Sequence, residues 1–263
     1  MNTKWPRFLD IDLSTLCQLK CNMCPYLEIH KKREFMSIER FKKIINQINW
    51  KCSIKLCQYS EPLLSPILID AIKITYNKGL RTVINTNGLL LCKLGWELIN
   101  ARLETLILSD YGLEKQIENG IHFATLNNYY KHPVEFIVKT ERPEVWEGIT
   151  DNIIKPIYYD HSGMIEDDTP LPNWKCEQLF ERLVIRPDNH VDCCCGHIHP
   201  DKNIGNINEN TLLEIWNSEK LQNYRKLHLE GKSHLAKMCL SCDVRKEEIR
   251  RRKENEHKLC YSM

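Results

Sequence analysis

No apolar stretch in this 263-residue chain approaches the 18 or so residues a membrane-spanning helix needs, because Glu, Lys and Arg interrupt every one. The N-terminus, Met1-Asn-Thr-Lys-Trp-Pro6, lacks the apolar core of a signal peptide, so a cytoplasmic protein with no membrane partner is expected. An excess of one charge is missing too. A formal net charge of +2 with 27% charged residues gives no broad basic field, which argues against a nucleic-acid partner and leaves small-molecule chemistry. Internal repeats and low-complexity tracts are also absent.

Cysteine, by contrast, is abundant. Thirteen thiols in a chain without an export signal point to metal or redox work rather than disulfides, since cytosolic thiols are kept reduced. They cluster at Cys17, Cys21 and Cys24, at Cys176 with Cys193, Cys194 and Cys195, and at Cys239 and Cys242. The scattered Cys52, Cys57, Cys92 and Cys260 read as small buried hydrophobes. The first group, Cys17-Gln-Leu-Lys-Cys21-Asn-Met-Cys24, follows an apolar segment, Phe8 to Leu13. Three thiolates can hold three irons of a [4Fe-4S] cubane and leave the fourth iron open to a small molecule, which a disulfide pair or a four-ligand zinc site cannot.

Strand and helix signals alternate over the first 160 residues, the pattern of βα units around a parallel sheet. Strands are expected at Phe8 to Leu13, Ser53 to Tyr59, Arg81 to Thr86, Thr105 to Ser109, Val134 to Val138 and Ile153 to Tyr159. Helices are expected behind Ser37 as N-cap, from Ser65-Pro66 to Gly79, and over Leu94 to Ala101. Six parallel strands with intervening helices predict an α/β fold, a partial (β/α)6 barrel. Residues 161–175 are polar and contain prolines, and read as a linker or loop. Beyond them Leu183 to Pro187 and His190 to Cys193 flank the hairpin turn Asp188-Asn189. A helix is expected from Leu212 to about Leu229 behind a Thr211/Glu214 capping box, and another over Asp243 to Lys258, where Glu247/Arg251 and Glu248/Arg252 stand at i,i+4.

In its first cysteine group the chain resembles the radical S-adenosylmethionine (radical SAM) superfamily, whose open iron chelates S-adenosyl-L-methionine. The ends of the following strands extend the resemblance. Tyr59-Ser60-Glu61-Pro62 is similar to the family's Gly-Glu-Pro and implies that Glu61 meets the methionine amino group, with Ser60 standing where glycine is usual. Thr86-Asn87-Gly88 looks like the family's Thr-Asn-Gly turn, Ser109 matches a hydroxyl that meets ribose or carboxylate, and Met23 matches a residue packed near the adenine. The order is that of a barrel which builds its site at the C-terminal ends of its strands.

Four further thiols close a second cluster completely, which suits it to electron transfer; on spacing alone a structural zinc is the alternative, since C-x2-C at 239 and 242 is a common zinc half-site. Trp174-Lys-Cys176, Val191 to Cys195, Ile204-Gly-Asn-Ile207, Leu213 to Trp216, Arg225 and Cys239-Leu-Ser-Cys242 resemble the auxiliary-cluster domain called SPASM or, shortened, twitch. That resemblance implies a domain over 176–263, after a radical SAM core over 1–160, with Cys176, Cys194, Cys239 and Cys242 as ligands and Cys193 and Cys195 as neighbours.

The implied cofactors are two [4Fe-4S] clusters and S-adenosyl-L-methionine, with an external one-electron reductant such as flavodoxin or ferredoxin as partner. The implied reaction is hydrogen abstraction from a small substrate by a 5′-deoxyadenosyl radical, with a secondary alcohol of a sugar, aminocyclitol or related polyol oxidised to a ketone and the auxiliary cluster accepting the electron. Asp160, His161, His197 and His199 are candidates for the base. Rival readings are an epimerase drawing a hydrogen atom from Cys193, Cys195 or Cys260, a peptide-modifying maturase, disfavoured by the 16 residues before Cys17, and a zinc-stabilised binding module.

Overall fold

The computed structural model describes residues 4–21, 24–25, 32–130, 133–156, 175–196, 203–236, 239 and 242. The strands are β1 (Phe8–Ile11), β2 (Ser53–Lys55), β3 (Arg81–Thr86), β4 (Thr105–Ser109), β5 (Glu135–Lys139), β6 (Ile153–Ile154), β7 (Arg182–Ile185), β8 (His190–Asp192) and β9 (Gly205–Asn206). They form one nine-stranded sheet in the order β6-β5-β4-β3-β2-β1-β7-β8-β9. From β6 to β1 every neighbour is parallel and consecutive, the expected half-barrel of six strands. The helices are α1 (Ile38–Asn46), α2 (Leu68–Asn77), α3 (Leu91–Asn100), α4 (Glu114–Asn128), the single turn α5 (Gln178–Glu181), α6 (Leu212–Trp216) and α7 (Glu219–Leu229).

Alternation along the strands decides what faces what. Ile54, Ile84, Leu106, Leu108, Phe136 and Val138 are buried in the core shared with the helices. Their neighbours Lys55, Val83, Asn85, Ile107, Ser109 and Lys139 are half-buried on the opposite face and line a cavity. The open barrel thus keeps one apolar face and one site-bearing face.

Several expected boundaries move. Ser37 caps α1 as expected, accepting from the Arg40 N–H at 3.2 Å. Ser65 does not cap α2: Glu61 caps a 3-10 turn at Pro62–Leu64, and α2 begins after Ile67 with no side-chain cap. α3 begins at Leu91, three residues early. β2 stops at Lys55, because the chain beyond it bends around the Asp12 carboxylate, which accepts from the Gln58 N–H at 2.6 Å and the Ser60 hydroxyl at 2.7 Å. The helix expected over Leu212 to Leu229 is two, broken at Asn217, with Ser218 capping the second; the Thr211/Glu214 capping box is present. Cys92 is exposed rather than buried, whereas Cys57 is buried and Cys52 half-buried. Residues 157–174, with the linker and the end of the last expected strand, and 243–263, with the last expected helix and Cys260, lie outside the described residues.

The hairpin β7–β8 turns at Asp188-Asn189, where Asn189 takes φ +76°. β7 also pairs in parallel with β1 over Phe8 to Ile11, so the C-terminal segment continues the barrel sheet.

Candidate active site

One cavity of about 510 Å³ opens at the C-terminal ends of the strands. Cys17, Cys21, Cys24, Tyr59, Ser60, Glu61, Thr86, Asn87 and Ser109, all singled out in the sequence, line it together. Met23 and the candidate bases Asp160, His161, His197 and His199 lie outside the described residues.

Glu61 organises the rim. Its carboxylate is buried and accepts from the Leu63 N–H at 3.0 Å, the Thr86 hydroxyl at 2.7 Å and the Asn87 N–H at 2.8 Å. Burial pushes its pKa up, against the opposing pull of those hydrogen bonds. Asn87 in turn aims its amide nitrogen at the Cys17 sulfur, 3.9 Å away. The turn holding Asn87 depends on Gly88, at φ +77°, where a Cβ would stand 2.3 Å from Leu108. Ser60, which replaces a glycine in the family pattern, spends its hydroxyl on Asp12 and so anchors the Glu61 segment to the residue after β1.

Two anchors were not foreseen in the sequence. Gln116 and Asn119, both buried on α4, donate to the Asn87 and Gly88 carbonyls at 2.6 and 3.0 Å. Asp110, its side chain fully buried, accepts from Trp146 at 3.0 Å, Thr140 at 2.8 Å and Arg142 at 2.8 Å. Burial alone would raise its pKa; the hydrogen bonds from Trp146, the Gly112 N–H, Thr140 and Arg142 outweigh that and hold it below the usual carboxylate range.

The C-terminal triplet diverges. Cys195 lines the cavity, its carbonyl accepting from the Tyr59 hydroxyl at 2.6 Å and from Gln58 at 3.0 Å. Cys193 is buried and lies in electrostatic reach of Cys194 and Cys239, while Cys194 is half-buried. Tyr59 therefore sits between Cys24 and the triplet, and burial first, then Cys195, Cys194 and Cys24, push its phenol pKa up. Cys176, Cys239 and Cys242 are buried.

The donor sets fit iron–sulfur centres. Among the described residues no three His, Cys, Asp or Glu side chains meet around a single-ion position. Cys17, Cys21 and Cys24 nevertheless line one cavity, which suits a cubane wider than one ion. Burial pushes the Cys17 and Cys21 thiols up, so a metal is what would hold them as thiolates. At the second group Arg225 is buried, its Nη2 without a hydrogen-bond partner among the described residues; burial pushes its pKa down to about 10, against the opposing charge of Cys193. A guanidinium so placed suits a centre built of several thiolates.

Comparison with known proteins agrees with this geometry. The SPASM family, an iron-sulfur cluster-binding domain, matches residues 176–243. The S-adenosyl-L-methionine-dependent 2-deoxy-scyllo-inosamine dehydrogenase of Niallia circulans is 26% identical over 265 residues, covering 91% of this chain and 95% of that enzyme. The tungsten-containing aldehyde ferredoxin oxidoreductase cofactor-modifying protein of Pyrococcus furiosus is 23% identical over 316 residues, covering 91% and 88%. Among solved structures, BtrN in complex with AdoMet and 2-DOIA superposes with a TM-score of 0.72 at 19% identity, over 92% of this chain and 94% of BtrN. Streptococcus suis SuiB bound to the precursor peptide SuiA superposes at 0.66 with 15% identity, over 84% and 67%. Residues 176–243 thus match the SPASM iron-sulfur cluster-binding family, and over nine-tenths of its length the chain is similar to an S-adenosyl-L-methionine-dependent dehydrogenase. The matched segment is that of an iron-sulfur cluster-binding domain, and the fold is shared with an enzyme solved with AdoMet bound. Among the described residues no helix is long and apolar enough to cross a membrane.

Proposed function

We propose that this enzyme oxidises a secondary alcohol of a small polyol, such as a sugar or aminocyclitol, to a ketone, using the C-terminal centre as electron acceptor. The observation that carries the reading is a single cavity lined by both Cys17, Cys21 and Cys24 and by Cys195 of the C-terminal triplet. Cys17, Cys21 and Cys24 would hold a cluster that, with S-adenosylmethionine, would supply hydrogen-atom abstraction from the hydroxyl-bearing carbon, and the centre at Cys176, Cys194, Cys239 and Cys242 would take the electron released as the hydroxyl loses its proton.

The chain's own residues prepare that chemistry. Cys17, Cys21 and Cys24 hold the first centre, and Cys176, Cys194, Cys239 and Cys242 hold the second. Glu61, Thr86, Asn87 and Ser109 orient the cofactor, with Met23 beside its adenine. Asn85 offers a buried Oδ1 that has no hydrogen-bond partner among the described residues and lines the cavity, an acceptor for a substrate hydroxyl. Asp160 and His161 remain the proposed bases, and a flavodoxin or ferredoxin the proposed reductant. The test is anaerobic turnover with candidate polyols: a ketone should form in step with 5′-deoxyadenosine.

A second reading, epimerisation, is favoured by one observation: of its proposed hydrogen donors Cys195 lines the cavity, whereas Cys193 is buried away from it. Solvent deuterium at an inverted carbon, abolished by Cys195→Ala, would establish it; ketone formation surviving Cys195→Ala would refute it.

A further inference from the structure

The floor of the cavity carries more positive charge than its own carboxylates use. Lys55 on β2 and Lys139 on β5 both project from the inner face of the sheet into the cavity, as does Arg182 from β7. Arg182 is neutralised by Asp10, its Nη1 donating to both carboxylate oxygens at 2.5 and 2.6 Å. The remaining carboxylates lining the cavity are committed as well: Glu61 to Leu63, Thr86 and Asn87, and Asp110 to Trp146, Thr140 and Arg142. Among the described residues the lysines have no such counterion. Lys55 donates to the neutral Gln58 Oε1 at 3.3 Å, and among the described residues neither lysine makes an ion pair.

Barrel interiors are ordinarily filled by branched apolar side chains, so two strand-borne ammonium groups facing one cavity are a cost to the fold. Burial, with the like charge of Lys55 added, holds the Lys139 pKa below the usual lysine range. Neither lysine is among the groups acting most strongly on the Cys17 thiol. Lys55 acts instead on the cavity-lining Cys57 and Cys195. Between β2 and β4 the partnerless Asn85 Oδ1 asks for a hydroxyl donor.

We infer that the substrate is a hydroxylated molecule bearing an oxyanion, a phosphate or a carboxylate, held between Lys55 and Lys139, with a hydroxyl donated to Asn85. This rests on the cavity being the substrate site of the reaction proposed above, and it narrows the polyol to an anionic one. An ammonium-bearing aminocyclitol would meet two uncompensated like charges and is disfavoured.

The test is equilibrium binding to the anaerobically loaded holoenzyme with S-adenosylmethionine present, using inorganic phosphate, myo-inositol phosphate, glucuronate, neutral myo-inositol and glucosamine as probes. At least one anionic sugar or cyclitol should bind about tenfold or more tightly than myo-inositol, and the advantage should shrink as salt is raised. The better of phosphate and carboxylate identifies the oxyanion. Lys139→Met and Lys55→Met should each remove the advantage, Lys139→Arg should keep it, and affinity for S-adenosylmethionine should stay unchanged in all three. Preference for glucosamine would overturn the inference. So would an equal loss of S-adenosylmethionine affinity in Lys139→Met, which would give the lysine to the cofactor carboxylate. If the wild type binds and cleaves S-adenosylmethionine yet shows no anion preference, this inference alone fails; if it does not bind S-adenosylmethionine at all, the underlying reading fails first.

Discussion

At Asn87 one side chain and its backbone serve five partners: Cys17 through the amide nitrogen, Gln18 and Leu89 through the amide oxygen, Glu61 through the N–H and Gln116 through the carbonyl. The turn that allows this is closed to a larger residue. Gly88→Ala combines a φ of +77° with a Cβ 2.3 Å from Leu108, so it should destabilise the loaded protein by about 1–3 kcal/mol in anaerobic denaturant melts. The triplet gives a second residue-scale prediction. Cys194→Ala should lower the iron content from about eight to about four per chain, while Cys193→Ala, which removes a packed neighbour, should retain about eight. The reverse pattern would move the ligand to Cys193. These residues were legible because cysteine spacing and turn chemistry are local signals. Ser60 was visible as a departure, but its use was not, since Asp12, which takes its hydroxyl, lies 48 residues away in sequence.

Sequence reasoning missed the single turn α5, the two-residue β9 and, longest of all, α4. Its buried positions Gln116, Asn119, Gly120, Phe123, Ala124 and Asn127 follow helical spacing, but half of them are amides, so no apolar stripe marks the helix. Those amides hold the Asn87 and Gly88 carbonyls and clamp the start of β5, where Asn127 accepts from the Val134 N–H and donates to its carbonyl, both at 2.8 Å. Gly120 completes the fit, since a Cβ there would stand 2.6 Å from Trp146. Asn127→Leu should cost about 1–3 kcal/mol, because it leaves two buried backbone groups without partners. Its effect on S-adenosylmethionine affinity should be smaller than that of Gln116→Leu, which releases the Asn87 turn itself. Asp110 joins β4 to the loop after β5, and its depressed pKa fixes a sign. The ionised form is favoured by folding, so its contribution is present above about pH 4, the unfolded carboxylate value, and fades as pH falls through the lower folded value. Asp110→Asn should cost about 2 kcal/mol at neutral pH and flatten that acid limb in urea melts measured between pH 3 and 7.

On the scale of the whole molecule, the barrel and the SPASM segment share a sheet. The parallel pairing of β1 with β7 sets the Asp10 carboxylate against Arg182 and brings Cys195 to the cavity that Cys17, Cys21 and Cys24 line. The βα alternation made the half-barrel readable, and the Asp188-Asn189 turn the hairpin. Nothing local to either segment records that β7 docks on β1, since that pairing joins strands more than 170 residues apart in sequence. The central claim is that Cys17, Cys21 and Cys24 hold a cluster with an iron left open for S-adenosylmethionine. Electron paramagnetic resonance of the anaerobically reduced protein, with and without S-adenosylmethionine, addresses it most directly. One of two cluster signals should change on addition, and that response should vanish in Cys21→Ala while the other signal persists. A spectrum indifferent to S-adenosylmethionine, or a response that survives Cys21→Ala, would contradict the account.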